Sequence, residues 1–117
     1  MDCFLMPLPK KNLSAYKKMA KLGCKVWTDH GALTYVEAVG DDIAVKFGLP
    51  FNKIVKVKPS EIIVVAFVTY KSKSDRNRIT KLVMKDPRLA KMLTPMPFDV
   101  KKMSFGGFKA IVESLSS

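Results

Sequence analysis

The sequence predicts an α+β domain in which an antiparallel sheet carries two helices on one face. Three observations predict it. Apolar residues recur at three- and four-residue steps over residues 13–29 and again over 79–83, the helical period. Residues 32–39 and 61–70 are apolar over strand lengths. Turn and stop signals separate these stretches, so the order reads strand, helix, strand, insert, strand, helix, strand.

Residues 3–8 (Cys3-Phe4-Leu5-Met6-Pro7-Leu8) are a short apolar run ending at prolines. Pro7 lacks a ladder N–H and argues for an edge strand or a strand end. Over 13–29, Leu13, Tyr16, Ala20, Gly23 or Cys24, and Trp27 share one side of a helix. Lys17, Lys18, Lys21 and Lys25 fall mostly opposite. Asn12 suits the N-cap and Gly31 is a natural stop. In the strand 32–39, Leu33, Tyr35, Glu37 and Val39 share one face; Ala32, Thr34, Val36 and Ala38 share the other. Gly40-Asp41-Asp42 marks a turn. Between Pro50 and Pro59, the stretch Lys53 to Lys58 reads as an exposed strand or a hairpin arm. The 61–70 strand follows, then Ser72-Lys73-Ser74-Asp75, a capping-box pattern that opens the second helix. Ile79, Leu82 and Val83 give that helix an inner face. Asp86-Pro87 ends it, because a residue before proline is pushed out of the helical region. Leu89, Met92 and Leu93 predict another helical turn. A last strand is expected over about 102–109, and the tail carries Ile111, Val112 and Leu115. The β-α-β-β-α-β order is the ferredoxin-like plan.

Strand parity then predicts a homodimer. Two helices cover one face of such a sheet, and an open second face should be polar at alternate positions. The 61–70 strand does not alternate: Ile63, Val65 and Phe67 oppose Ile62, Val64, Ala66 and Val68. So large an apolar face is rarely left bare. The simplest cover is a second copy, sheet to sheet, giving a dimeric α/β barrel. The alternative cover is the chain's own 43–60 insert.

A chain of 117 residues with 48% hydrophobic content supports one domain, residues 1–117, with a real core. No run approaches the roughly 20 apolar residues that span a bilayer, so no membrane is expected. The N-terminus lacks a signal-peptide pattern. Cys3 and Cys24 have no ligand spacing and read as free buried thiols. With His30 the one histidine, no metal site is expected, and no cofactor motif is present. A cytoplasmic location fits these features.

The formal charge is +11. Such an excess invites a polyanion partner. Yet 18 of the 21 cations are lysines, and only Arg76, Arg78 and Arg88 are arginines. Base-specific contacts favour arginine. A solvated lysine-rich surface is therefore favoured over nucleic-acid binding. If nucleic acid binds, Lys18, Lys21 and Lys25 on the first helix are the candidates.

The carboxyl-terminal stretch is the most distinctive: Met96-Pro97-Phe98-Asp99, then Lys102-Met103, then Phe105-Gly106-Gly107-Phe108. With Gly31-Ala32-Leu33, Val36-Glu37, Asp42, Tyr70-Lys71-Ser72-Lys73, Arg76 and Asp86-Pro87-Arg88, it resembles the YbaA-like family, domain of unknown function 1428. The resemblance covers most of the chain. It implies a ferredoxin-like dimeric α/β barrel and no established catalytic residues. Two positions depart from the family's common pattern: Phe67 stands for Trp, and Asn77 stands for an Asp after the helix-opening arginine.

Glu37 is the candidate acid/base. It sits mid-strand on an otherwise apolar face, where a carboxylate must be paired, hydrated or protonated. One reading is a salt bridge to a lysine or to Arg76. The other is a cavity carboxylate of raised pKa that binds or deprotonates a ligand. For catalysis, Tyr35 and Tyr70 would orient the ligand and Arg76 would neutralise charge. Trp27, Phe67, Phe98, Met103 and Phe105 are candidates to line an apolar pocket, with His30 at its rim. An aromatic set of this kind is also ordinary core, and His30 also suits a helix end. Three function classes follow: a binder of a small apolar or aromatic molecule, with cofactor-free monooxygenase or isomerase chemistry an option by fold analogy alone, a nucleic-acid-binding module, and a structural or interaction protein with no ligand. Whether the chain is an enzyme stays open at this point.

Overall fold

A computed structural model describes residues 1–92 and 95–114. It is an α+β fold around one four-stranded antiparallel sheet. The strands are β1 (Asp2–Pro9), β2 (Thr34–Val39), β3 (Glu61–Thr69) and β4 (Ser104–Gly107). Their order across the sheet is β2-β3-β1-β4. The helices are α1 (Leu13–Asp29), α2 (Phe51–Val55), α3 (Lys73–Lys85) and α4 (Pro87–Met92). The Leu93 and Leu115 readings lie outside the described residues.

α1 spans the expected residues and ends at Gly31, whose φ of 114° suits glycine. Its start differs from expectation. Asn12 donates to the Pro97 carbonyl (2.7 Å) and makes no side-chain cap. The amide pins the 95–99 loop to the helix start instead. α3 opens as predicted, with Ser72 Oγ accepting from the Asp75 backbone N–H at 3.0 Å. It ends at Asp86, whose ψ of 125° is extended, as a residue before Pro87 must be.

Three expectations are corrected. Residues 53–58 are not a strand: Phe51–Val55 is a helix, closed by Lys56 in the left-handed region (φ 57°). Pro50 is the extended N-cap residue (ψ 147°), and the apolar Ile54-Val55 pair falls within the single helical turn that follows. β1 is not an edge strand but lies between β3 and β4. Pro7 is tolerated because β4 pairs only with Asp2 to Leu5, so the proline half of β1 has one neighbour. The last strand is Ser104–Gly107, shorter than 102–109, because a 3-10 turn occupies Val100–Lys102.

The register places Asp2, Phe4, Met6 and Leu8 of β1 on the same face as Val64, Ala66 and Val68 of β3 and Tyr35 and Glu37 of β2. This face meets α1 and α3. Leu8, Val26, Val64, Val68, Ile79 and Val83 are fully buried there, each stabilising by about 1.5–3 kcal/mol. On the far face, Ile43 and Ile63 close over Gly40, and Ile63 and Pro7 are buried. Val36 and Val65 stay 39% and 42% exposed there. The insert thus covers one end of this face and leaves Val36 and Val65 part-exposed.

Candidate functional site

Glu37 reaches from the middle of β2 toward α1. The Tyr16 hydroxyl, from α1, donates to Glu37 Oε1, and the Tyr35 hydroxyl donates to Oε2 at 2.7 Å. Burial, and then the neighbouring carboxylate, push both phenols well above the ordinary tyrosine pKa. Each ring has an aromatic backing. Phe98 meets Tyr16 edge-on at 5.9 Å, and Trp27 lies 5.9 Å from Tyr35. Gly23 lets the second contact form. A Cβ at this point of α1 would stand 2.6 Å from Tyr35 Oη and 2.9 Å from Met92 Cε.

These three polar groups lie in a groove of about 340 Å³ between α1 and β2, the lower end of small-molecule pockets. Leu13, Ala20, Ala38, Val39 and Val64 line it with apolar surface; Lys17, Lys21 and Cys24 complete it. A wider hollow of about 460 Å³ runs along α3. Its lining (Ser74, Asn77, Arg78, Lys81, Leu82, Lys85) holds no carboxylate and no tyrosine, so the acid/base groups belong to the α1–β2 groove.

The other two expected catalytic residues lie elsewhere. Arg76 Nε pairs with both oxygens of Asp2 (3.2 and 3.3 Å), and the Tyr70 hydroxyl donates to Asp2 Oδ2 at 3.1 Å. Burial and then the Asp2 carboxylate push Tyr70 up to about 12. Asp2 is buried on β1, facing α3. Arg76 also donates to Asn77 Oδ1 at 3.0 Å, so asparagine keeps a bond to the helix-opening arginine. The structure brings Tyr35 to Glu37 and takes Tyr70 and Arg76 to Asp2.

The aromatic candidates are dispersed. Trp27 and Phe98 back the tyrosines without lining the groove. Met103 packs on the core around Met6, Leu8, Tyr16 and Val64. Phe105 stacks 4.8 Å from Phe4 on β4, and Phe67 sits on the far face of β3. His30 closes α1, with Nε2 2.7 Å from Asp86 Oδ2. Asp86 also takes both Arg88 Nε and Nη2 (3.0 and 2.8 Å), and Arg88 Nη1 reaches Asp29 at 2.8 Å. Arg88 first, then His30, holds the Asp86 carboxyl well below the usual range. Lys18, Lys21 and Lys25 are exposed on α1, and Lys25 pairs with Asp29 at 3.4 Å.

Sequence reasoning missed Tyr16, Cys24 and Lys17 as site residues, and Asp2 as an ionic partner. Tyr16 carried a signal: it is a hydroxyl on the inner side of α1, facing a strand with a mid-strand acid. Asp2 carried none, because its partners are Tyr70, just after β3, and Arg76 on α3. Both cysteines are free and half-buried rather than fully buried. Among the described residues no helix is long and apolar enough to cross a membrane, and no cluster of three metal-ligating side chains occurs.

A family model described as "Protein of unknown function (DUF1428)" matches residues 1–100. This chain belongs to that family. The match includes Glu37, both site tyrosines and Met96 to Asp99, and stops short of Phe105-Gly106-Gly107-Phe108. "Uncharacterized protein YbaA" of Escherichia coli K12 is 32% identical over 113 residues, 97% of each chain. The proteins of the same description from Escherichia coli O157:H7 and Shigella flexneri match to the same extent. In this chain a carboxylate clasped by two phenols lines an apolar groove. Such a carboxylate can hold a ligand donor or take a proton from a bound molecule.

Proposed function

We propose that this DUF1428 protein is a homodimer of ferredoxin-like domains, forming an α/β barrel, that binds a small apolar or aromatic molecule in the α1–β2 groove. One observation carries the binding reading. Glu37 lies at the floor of an apolar groove, held by two phenols and met by no cation among the described residues. An ionic lock would use a cation, as Asp2 does. Where turnover occurs, Glu37 is the acid/base and Tyr35 and Tyr16 orient it. This resembles cofactor-free monooxygenase or isomerase chemistry by fold analogy alone. The part-exposed apolar pair Val36 and Val65 on the far face supports the dimer.

Native mass spectrometry at near-physiological salt tests both parts. The expected result is a dimer carrying a small added mass that Glu37→Gln loses. A bare monomer overturns the dimer, and an adduct indifferent to Glu37→Gln overturns the site.

A second reading rests on a different observation. All three arginines are paired with carboxylates (Asp2, Asp75, Asp86 and Asp29). Among the described residues the remaining helix cations are lysines, of which Lys25 pairs with Asp29; lysines attract a nucleic-acid backbone without reading bases. Lys21 lines the groove, so Lys18→Glu with Lys25→Glu is the separating variant. Salt-dependent nucleic-acid binding abolished by that pair, with groove binding intact, would establish this reading.

A further inference from the structure

The groove's hydrogen-bonding inventory narrows its ligand. A phenol has one proton to donate. Tyr16 gives its proton to Glu37 Oε1, and Tyr35 gives its proton to Oε2. The raised pKa values of both phenols keep those protons in place. The two carboxylate and two phenol oxygens thus come together on residues that line the groove, with both phenol protons already spent. The floor accepts and does not donate.

The cations lie at another level. Lys17 and Lys21 line the groove from α1, one turn apart, and both are exposed. Neither forms an ion pair with Glu37. Leu13, Ala20, Val39 and Val64 add apolar lining. An organic anion without a donor would face the Glu37 carboxylate and leave the floor unsatisfied. A simple amine would satisfy the floor but meet two lysines on a chain of formal charge +11. A molecule bearing both groups suits both levels.

We propose that the groove takes a small amino-carboxylic acid with an apolar side chain. The ammonium group, with three donors, sits on Glu37 and the two phenol oxygens. The carboxylate faces Lys17 and Lys21, and the side chain lies against the apolar wall. This rests on the groove being a ligand site, as proposed above, and goes beyond it by naming the class.

Four probes separate the two claims: L-phenylalanine, N-acetyl-L-phenylalanine, phenethylamine and phenethyl alcohol. The reporter is the fluorescence of Trp27, the one tryptophan, which lies against Tyr35. L-Phenylalanine should bind tightest. N-acetylation should weaken binding roughly tenfold to a hundredfold, the worth of a charged hydrogen bond. Phenethylamine should bind about tenfold more weakly than L-phenylalanine. Glu37→Gln should bring L-phenylalanine down to the N-acetyl level. Lys17→Ala with Lys21→Ala, both on the surface, should bring it to the phenethylamine level without weakening phenethylamine.

If N-acetyl-L-phenylalanine or phenethyl alcohol binds as tightly as L-phenylalanine and Glu37→Gln releases it, the class is wrong and the groove reading stands. If L-phenylalanine binds but ignores both variants, the proposed placement is overturned. If none of the four binds and no adduct sensitive to Glu37→Gln appears by native mass spectrometry, the groove reading fails with it.

Discussion

Two carboxylates face the helices from this sheet, and they are built differently. Asp2 on β1 meets a guanidinium and one phenol, and is 6% exposed. Glu37 on β2 meets two phenols and, among the described residues, no cation, and borders a groove. Asp2 has its charge balanced and its surroundings closed, the arrangement of a fastening between β1, β3 and α3. Glu37 has spare lone pairs and open space beside them. The proposed binding role of Glu37 rests on that contrast.

The largest expected effect breaks the fastening. Asp2→Ala strands Arg76, and should cost roughly 2–4 kcal/mol, the buried-pair range reduced because Arg76 is 32% exposed. Urea unfolding measures this. Gly23→Ala comes next. Alanine is intrinsically better in a helix by about 1 kcal/mol, yet its Cβ would collide with Tyr35 Oη. Net destabilisation of about 1–2 kcal/mol is expected, with loss of groove binding. A stabilised variant with intact binding would show that Tyr35 does not depend on this close approach.

Titration sharpens the comparison further. All three tyrosines have raised pKa values. Native protein should show no tyrosinate absorbance step near pH 10, and Tyr70 should ionise first, at about 12. A raised folded pKa means that the phenols' contribution is full below 10 and is lost as pH rises above it. Glu37→Gln should move Tyr16 and Tyr35 toward 10 and leave Tyr70 unmoved. The smallest effect concerns Asp86. Its depressed pKa contributes stability above the usual 3.8, lost as pH falls below that value. Asp86→Asn should flatten stability between pH 4 and 2, read by thermal melts.

Locally encoded features were legible in the sequence. The α1 period, the Ser72 cap and the Asp86-Pro87 stop each follow from a few adjacent residues. α2 was not, because the β-branched Ile54, Val55 and Val57 suit a strand while Pro50 and the left-handed Lys56 bound a single helical turn. In the site, Glu37 was legible because an acid amid apolar strand residues stands out. Tyr16 as its partner depends on how α1 lies over β2. Asp2 as the partner of Arg76 and Tyr70 depends on where the β1–β3 register sets the chain's second residue. No local pattern encodes such crossings.

The most direct measurement is urea unfolding of Asp2→Asn beside Glu37→Gln. Asp2→Asn should be clearly destabilised, by more than about 1 kcal/mol. Glu37→Gln, which keeps an acceptor for one phenol, should stay within about 1 kcal/mol of the parent chain. Equal losses would contradict the account, because Glu37 would then be a fastening like Asp2 and not the floor of a site.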